Sequence, residues 1–281
     1  MKKIAFDIKD GYAAIVTGGD LEPEFIMIGF DEADFADDSE NESSVPKNLF
    51  ALGDERLASL YSLADQALLA VPMRFSLVKS LSIDQAAVEK YGSDFLQWEA
   101  KQQLPDELGQ FISGFSKLGE SYDGLFGNYL YYAVPRDFIE GLLNFAVPDT
   151  EKKPALSSEA LGLFNVINLA MNQNGFGAAI SLEHDGASIA LSHDGVFLGG
   201  RFIAGEKPTL GDEIKYYIMG HAPEDLRPNV LICGDMNKID SIGAVTWAEI
   251  LKIPDSLKTA VKSGKASPEL FTAAAGLIMQ P

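Results

Sequence analysis

The chain has 281 residues, of which 47% are hydrophobic and 22% are charged, and a formal net charge of −19. It is long enough to bury a large core, and it contains no run of about 18 apolar residues that would predict a membrane-spanning helix. The negative charge disfavours nucleic acid and anionic lipid as partners, while simple solubility and an affinity for basic partners both remain explanations of it.

The single cysteine, Cys233, and the first acidic residue, Asp7, indicate where in the cell the protein is expected to be. Cys233 excludes a disulfide framework and a cysteine metal cage, and it is expected to lie buried in a strand of a protein in a reducing cytoplasm. Asp7 interrupts the first apolar stretch, which argues against a signal peptide.

The N-terminal residues predict three short strands separated by tight turns. The strands are expected to end at Phe6, to run from Tyr12 to Val16, and to run from Glu24 to Ile28. The first turn contains Asp10-Gly11, and an Asp-Gly pair between apolar runs is typical of a hairpin because glycine accepts a positive φ without steric cost.

The next segments are read from their apolar patterns. Residues 31–44 (DEADFADDSENESS) are acidic and poor in apolar residues, which predicts a solvated loop. An amphipathic helix with a break near Gly53 is expected at 48–64, and a buried strand at 66–72. Residues 74–83 alternate between apolar and polar, which predicts a strand with one solvated face.

Residues 84 to about 146 predict a small helix–strand–strand–helix unit inserted in the first half. Asp84 caps a helix that reaches Pro105, either continuous or divided at Gly92. Two strands at 111–115 and 127–134 surround a polar turn. Pro135 then stands at the first turn of another helix.

A Lys/Pro-rich linker at 151–155 follows the inserted unit. A helix capped by Ser157 follows, and its apolar stripe predicts packing in the core. Residues 178–205 then repeat the N-terminal plan, with three strands joined by turns at Asp185-Gly186 and Asp194-Gly195. This repetition predicts a duplicated α/β fold.

The last elements are a helix, a strand and further helical sequence. Thr209 and Asp212 form a capping box at the start of a helix, and residues 229–234 read as a buried strand. Amphipathic helical sequence is expected at 246–262 with a break at Pro254, and Ser267-Pro268-Glu269 opens a final helix.

Seven segments together carry a family resemblance. They are IAFDIKDG, PMRFSLVKSLSI, FLQWEAKQQLP, YLYYAVPRDFIEGLL, AAISLEHDGASIALSHDGVFLGGRFI, VLICGDMNKIDSI and FTAAAGLIM. In this order they resemble the PilM proteins of type IV pilus assembly, relatives of the cell-division protein FtsA and of the type II secretion component GspL. FLQWEAKQQLP is the most specific match, since it is similar to the family's W-E-A-x-Q-x-x-P.

The resemblance implies a fold and its boundaries. The expected fold is an actin-like (ribonuclease H-like) duplicated α/β fold with two mixed-sheet subdomains and a small inserted α+β subdomain. The first subdomain is expected at 1–83 and 147–177, the insert at 84–146 and the second subdomain at 178–281. The chain passes from Gly205 almost directly to the next helix, so the upper lobe of the second half is expected to be missing.

The resemblance also places a vestigial nucleotide site at Asp7, Gly11 and Gly234. In the first phosphate loop, Lys9 stands in place of a glycine of the family. Asp7 is then either a metal-linked acid of a phosphate site or a turn residue at the end of a strand.

The second phosphate loop departs further from the family. Ser181 and Glu183 replace its aspartate and its glycine, so the acid that would order a metal-bound water and the close-approach glycine are both absent. Extra carboxylate beside such a loop works against phosphate binding. The three histidines have no metal-ligand spacing, and no metal site is expected.

Two functions from different classes follow. The first is a non-catalytic scaffold without cofactor in a type IV pilus or type II secretion assembly platform. It is expected to be cytoplasmic and peripheral to the inner membrane. Its expected partner is the cytoplasmic tail of a bitopic inner-membrane protein (PilN-like). Phe95 and Trp98 either line a groove for that tail or pack in the core. The alternative is a functional actin-like ATPase that binds Mg-ATP; a sugar or acetate kinase would need a catalytic acid and a full second lobe.

Overall fold

The computed structural model describes residues 1–9, 12–21, 23–30, 48–52, 55–104, 110–120, 124–147, 153–205, 209–224, 226–255 and 268–279. The strands are β1 (Lys2–Lys9), β2 (Tyr12–Gly19), β3 (Phe25–Gly29), β4 (Gln66–Val71), β5 (Leu77–Asp84), β6 (Phe111–Glu120), β7 (Phe126–Pro135), β8 (Ala155–Ser158), β9 (Phe176–Glu183), β10 (Gly186–His193), β11 (Val196–Ala204), β12 (Asn229–Gly234) and β13 (Glu249–Leu251). The α-helices are α1 (Leu49–Leu52), α2 (Glu55–Leu63), α3 (Gln85–Tyr91), α4 (Ser93–Gln103), α5 (Arg136–Ala146), α6 (Glu159–Ala170), α7 (Leu210–Met219) and α8 (Thr272–Ile278). Within these ranges no helix is both long enough and apolar enough to cross a bilayer.

Two five-stranded sheets share one plan. Their strand orders are β3-β2-β1-β4-β8 and β11-β10-β9-β12-β13. In each, three consecutive strands form an antiparallel meander, and the next two strands add in parallel to the first. The shared strand order confirms the predicted duplication. In each half, helical sequence connects the meander to the strand that pairs in parallel with its first strand, as a parallel pair requires.

The two Asp-Gly pairs of the second meander use glycine for different reasons. Asp194 and Gly195 have φ of 49° and 78°, as a type I′ hairpin turn requires. Gly186 has no positive φ; a Cβ atom there would overlap the carbonyl oxygen of Ile203 on β11. The Asp10-Gly11 turn and the acidic segment 31–44 lie outside the described residues.

The third sheet, β5-β7-β6, belongs to the inserted segment. Strand β5 pairs with β7 along its whole length, from Leu77 with Ala133 to Asp84 with Phe126. The predicted boundary at residue 83 is therefore misplaced for this strand, since its hydrogen bonds join it to the insert. The helical part of the insert divides at Gly92, which ends α3 with a φ of 58°.

Helices α6 and α8 lie between the two large sheets. Helix α6 packs on β9 and β10, and α8 packs on β1 and β2. Their backbones cross closely, because a Cβ atom on Gly276 would overlap the carbonyl oxygen of Gly162. Helix α6 is thus covered on nearly all sides, which explains why its sequence is apolar around most of its circumference.

Several predicted boundaries and caps are wrong at the local level. Helix α6 is capped by Ser158, whose Oγ accepts from the backbone N–H of Ala160, and Ser157 instead lies in β8. Thr209 provides no side-chain capping bond to α7. Residues 249–251, expected to be helical, form β13, because their backbones pair with β12; residues 256–267 lie outside the described ranges.

Among the described residues between β11 and β12, the second half carries no insert. Strand β11 ends at Ala204, α7 begins at Leu210, and β12 follows at Asn229. This confirms the expected absence of an upper lobe, since α7 is the single element of that connection within the described residues.

Candidate functional site

A buried lysine lies where the two large sheets face each other. Lys9 is the last residue of β1, and its side chain is 4% exposed. Its Nζ donates to Oε1 of Glu159 and, at 3.0 Å, to Oε1 of Glu183; Oδ1 of Asp7 is 3.8 Å away. One ammonium group therefore contacts carboxyl groups from β1, α6 and β9. We call these four residues the Lys9 cluster.

Hydrogen bonds tie the cluster to two further elements. Oε2 of Glu159 accepts from the backbone N–H of Met73 at 2.9 Å and lies 3.2 Å from Oγ of Ser188. The Ser188 hydroxyl is closer to Oε1 of Glu183, at 2.7 Å. A hydroxyl has a single proton, so it donates to Glu183 when both carboxyl groups are ionised. The cluster thus connects β10 and the 3₁₀ turn that follows β4.

Burial dominates the electrostatics of the cluster. It raises the pKa of Glu159 from its ordinary value of 4.5 to about 7, against the opposing effect of Lys9. Burial also raises the pKa of Asp7, whose Oδ1 has no hydrogen-bond partner among the described residues. Burial alone would lower the pKa of Lys9, but Asp7, Glu159 and Glu183 outweigh it and raise that pKa well above its usual range. Lys9 therefore stays protonated at neutral pH, and partial protonation of Glu159 offsets the surplus of carboxylates.

A cavity of about 350 Å³ adjoins the cluster. Its polar lining includes Lys9, Tyr12, Glu183, His184 and Asp235. The ammonium group of Lys9 is already bound by carboxylates, and two acids face the space beside it. A polyphosphate with its metal ion does not fit this lining, because the anion would meet carboxylates in place of free backbone N–H groups and cations.

The residues expected to form a vestigial nucleotide site are only partly brought together. Asp7 is inside the Lys9 cluster and 2% exposed, and it pairs with Ala14 on β2 and Ala70 on β4, so it is not in a turn. Gly234 ends β12 with a φ of 84°, and a Cβ atom there would overlap the carbonyl oxygen of Leu182. Close packing of β12 on β9 is thus sufficient to require this glycine. Gly11 lies outside the described residues.

Phe95 and Trp98 form a pair on the surface of the insert. Their rings stack with centroids 5.6 Å apart and an interplanar angle of 22°. Trp98 is 52% exposed, while Ala100 of the same helix packs on the three-stranded sheet. Trp98 is therefore not a core residue, and a stacked, half-exposed aromatic pair is available for contact with another molecule.

A larger cavity, of about 840 Å³, lies between β11 and α7. Tyr216, Tyr217 and Met219 provide its apolar lining, and Arg201 and Asp212 add charges of both signs. It is separate from both sequence-predicted sites. Within the described ranges no group of His, Cys, Asp and Glu side chains could hold a metal ion.

Sequence reasoning missed Glu159 and the pairing of Lys9 with Glu183. The available signal was an acid opening the otherwise apolar helix EALGLFNVINLA. An acid in a first helical turn ordinarily stabilises the helix dipole, so that signal did not indicate a buried ion pair with a residue 150 positions away.

Comparison with known proteins identifies the fold. No protein-family model matches the sequence, and no curated protein matches it. Among solved structures, a chain of a PilM-PilN type IV pilus biogenesis complex is similar with a TM-score of 0.59 and 12% identity, over 98% of this chain and 97% of that one.

Two further structures are more distant. The cytoplasmic domain of EpsL, an inner membrane component of the type II secretion system of Vibrio cholerae, has a TM-score of 0.48 and 10% identity, over 83% of this chain and 82% of that one. A protein of unknown function with an actin-like ATPase fold from Bacteroides thetaiotaomicron has a TM-score of 0.49 and 8% identity, over 86% and 85%. These two scores are too low to carry an argument. Together with the duplicated sheets, the match to the PilM-PilN structure confirms the PilM-like, actin-like fold, and at this identity it establishes the fold alone.

Proposed function

We propose that this chain is a non-catalytic, actin-fold scaffold of a type IV pilus or type II secretion assembly platform. It lies on the cytoplasmic side of the inner membrane and binds the cytoplasmic tail of a bitopic, PilN-like membrane protein. The similarity to a PilM-PilN complex over nearly the whole chain supports this class of machine. The chain's net charge of −19 favours a tail with basic residues.

One observation carries the non-catalytic part of the proposal. At both positions where the family pattern has a glycine beside the phosphates, this chain has a charged residue, and these two residues, Lys9 and Glu183, bind each other at 3.0 Å. The ion pair takes the place of open backbone N–H groups. A nucleotide would have to break it and remain beside uncompensated carboxylates.

The tail site is proposed at Phe95 and Trp98. Stacked aromatic side chains that are half exposed are typical anchors for a peptide, and tryptophan is enriched among residues that dominate binding free energy. The test is a titration of the purified chain with a synthetic peptide of the tail of the adjacently encoded bitopic protein. Trp98→Ala should weaken binding by about tenfold or more.

The matched control is Tyr216→Ala, since Tyr216 is an 84% exposed aromatic residue on α7, far along the chain from the insert. It should leave the affinity unchanged. Absence of binding by the unaltered chain would remove the main support for the scaffold. Equal weakening by both substitutions would contradict the location of the site.

The alternative, a functional Mg-ATP-binding protein, is tested by thermal unfolding with Mg-ATP. A ligand present at about 100 times its Kd stabilises the folded state by about 2.7 kcal/mol. We expect no shift of the unfolding midpoint. A saturable, Mg-dependent rise would favour the alternative.

A further inference from the structure

The Lys9 cluster connects the two halves of the duplicated fold. Lys9 ends β1 of the first large sheet, and Glu183 ends β9 of the second, 174 positions later in the chain. Glu159 begins α6, which packs on the second sheet. The ammonium group therefore bonds to groups that would separate if the sheets moved apart.

The surrounding bonds widen this connection. Glu159 also accepts from Met73, in the turn that follows β4 of the first sheet. Ser188, on β10 of the second sheet, lies within hydrogen-bond distance of Glu159 and Glu183. The cluster thus spans both sheets through buried, charge-assisted hydrogen bonds, which are stronger than bonds between neutral groups.

We infer that the Lys9 cluster is an internal latch, which holds the two halves of the fold closed with side chains of this chain alone. The cleft that it closes is the one between the halves, which contains the cavity of about 350 Å³. The crossing of α6 and α8 lies between the same two sheets and would be the pivot of any opening. The latch goes beyond the proposed function, and it holds whether or not a tail peptide binds. It predicts a closed conformation that does not depend on a ligand.

Other contacts also join the two halves of the fold. On the side of the insert, Oγ of Ser80 donates to the carbonyl oxygen of Phe197 at 2.8 Å. Arg74 pairs with Asp185 at 2.6 Å, with both side chains partly exposed. If these contacts alone kept the halves together, loss of the cluster would leave the cleft closed.

The experiment measures the distance between the halves by pulsed electron spin resonance. Spin labels are placed at Leu63→Cys on α2 and Tyr216→Cys on α7, which are exposed positions of the first and second halves. Cys233 is retained, because it is buried and burial raises the pKa of its thiol to about 12, so it is not labelled. The doubly labelled chain should show one narrow distance distribution, with or without Mg-ATP.

Lys9→Met in this background removes the charge but keeps a side chain of similar length. The distribution should broaden and shift by several ångströms to longer distances. Lys9→Met with Glu183→Gln serves as a second variant, because it leaves fewer unpaired buried carboxylates and so protects the fold. Lys117→Met, at an exposed lysine of β6, is the matched control and should keep the narrow distribution.

The distance distributions of the variants decide whether the latch exists. Opening of the double variant, with native circular dichroism and a closed Lys117→Met control, supports the latch. A folded double variant with the same narrow distribution as the unaltered chain overturns it and leaves closure to the other contacts between the halves, which include the shared apolar core as well as Ser80 and Arg74. A ligand-dependent change in the unaltered chain also contradicts it.

Discussion

Lys9 and Glu183 depart from the family pattern at two separate loops, and the structure pairs them with each other. Glu183 without Lys9 would be a buried carboxylate without its cation, which costs several kcal/mol, whereas Lys9 also bonds to Glu159. Together they form one charge-assisted bond at 3.0 Å. The two departures from the family pattern are therefore linked by one ion pair.

Replacement of Lys9 by methionine tests this compensation. Lys9→Met leaves Glu159, Glu183 and Asp7 buried without their cation, and it should lower the free energy of unfolding by about 3–5 kcal/mol. The measurement is urea denaturation at neutral pH. Lys117→Met, where the lysine is exposed, should leave the midpoint unchanged; a Lys9→Met midpoint equal to it would show that the cluster contributes nothing to stability.

The raised pKa of Glu159 predicts how stability depends on pH. The folded state keeps a proton on Glu159 up to about pH 7, whereas the unfolded chain releases it near 4.5. Stability should therefore fall as pH rises between these values, because the ionised form is disfavoured only in the folded state. At about 1.4 kcal/mol per pKa unit, the loss is about 3 kcal/mol.

Denaturation at about pH 5 and about pH 8 measures this slope. Glu159→Gln has no proton to release and should flatten it. Glu140→Gln, at an exposed acid on α5, should retain the slope of the unaltered chain. An unchanged slope in Glu159→Gln would assign the dependence to another group, such as Asp7.

At the scale of elements, the crossing of α6 and α8 decides how the two large sheets are joined. The two helices approach with glycines in contact, Gly162 against Ala273 and Gly276 against Gly162. A hydrogen bond also joins the two helices, because Nδ2 of Asn165 on α6 donates to the carbonyl oxygen of Gly276 on α8 at 2.9 Å. Any larger residue would push the helices, and with them the sheets, apart.

Gly276→Ala should therefore destabilise the protein by about 1–3 kcal/mol through overpacking. Gly141→Ala on α5 is the matched control, since open space surrounds its Cβ position; it should stabilise the protein by up to about 1 kcal/mol through helix propensity. Thermal unfolding of both variants measures whether Gly276→Ala lowers the stability and Gly141→Ala raises it. A stabilising Gly276→Ala would mean that the helices separate without cost.

At the scale of the whole molecule, the charge of −19 opposes the compact state. Self-repulsion destabilises a highly charged fold, and salt screens it over a Debye length of about 10 Å at 0.1 M. The melting temperature should therefore rise between about 20 mM and about 300 mM sodium chloride. Choline chloride at equal ionic strength is the control for specific sodium binding, and a falling melting temperature in both salts would contradict the prediction.

Much of the architecture follows from local sequence. Apolar alternation with Asp-Gly turns indicated both meanders, and the strand at 229–234 was placed at its observed bounds. Local pattern failed at β13, where three residues in a helical pattern form a strand. Pairing with β12 decides that element, and pairing is a long-range property.

The sequence by itself determined the duplicated α/β plan, because that plan rests on periodicity and turn residues along the chain. It also has Lys9 and Glu183 at the glycine positions of the family pattern, but it did not place β5 in the sheet of the insert. Only the tertiary structure decided that Lys9 meets Glu159 and Glu183, that Trp98 is exposed and that Gly234 serves strand packing. These contacts join residues far apart in the chain. Their free energy comes from burial and from the alignment of two sheets, which no local pattern encodes.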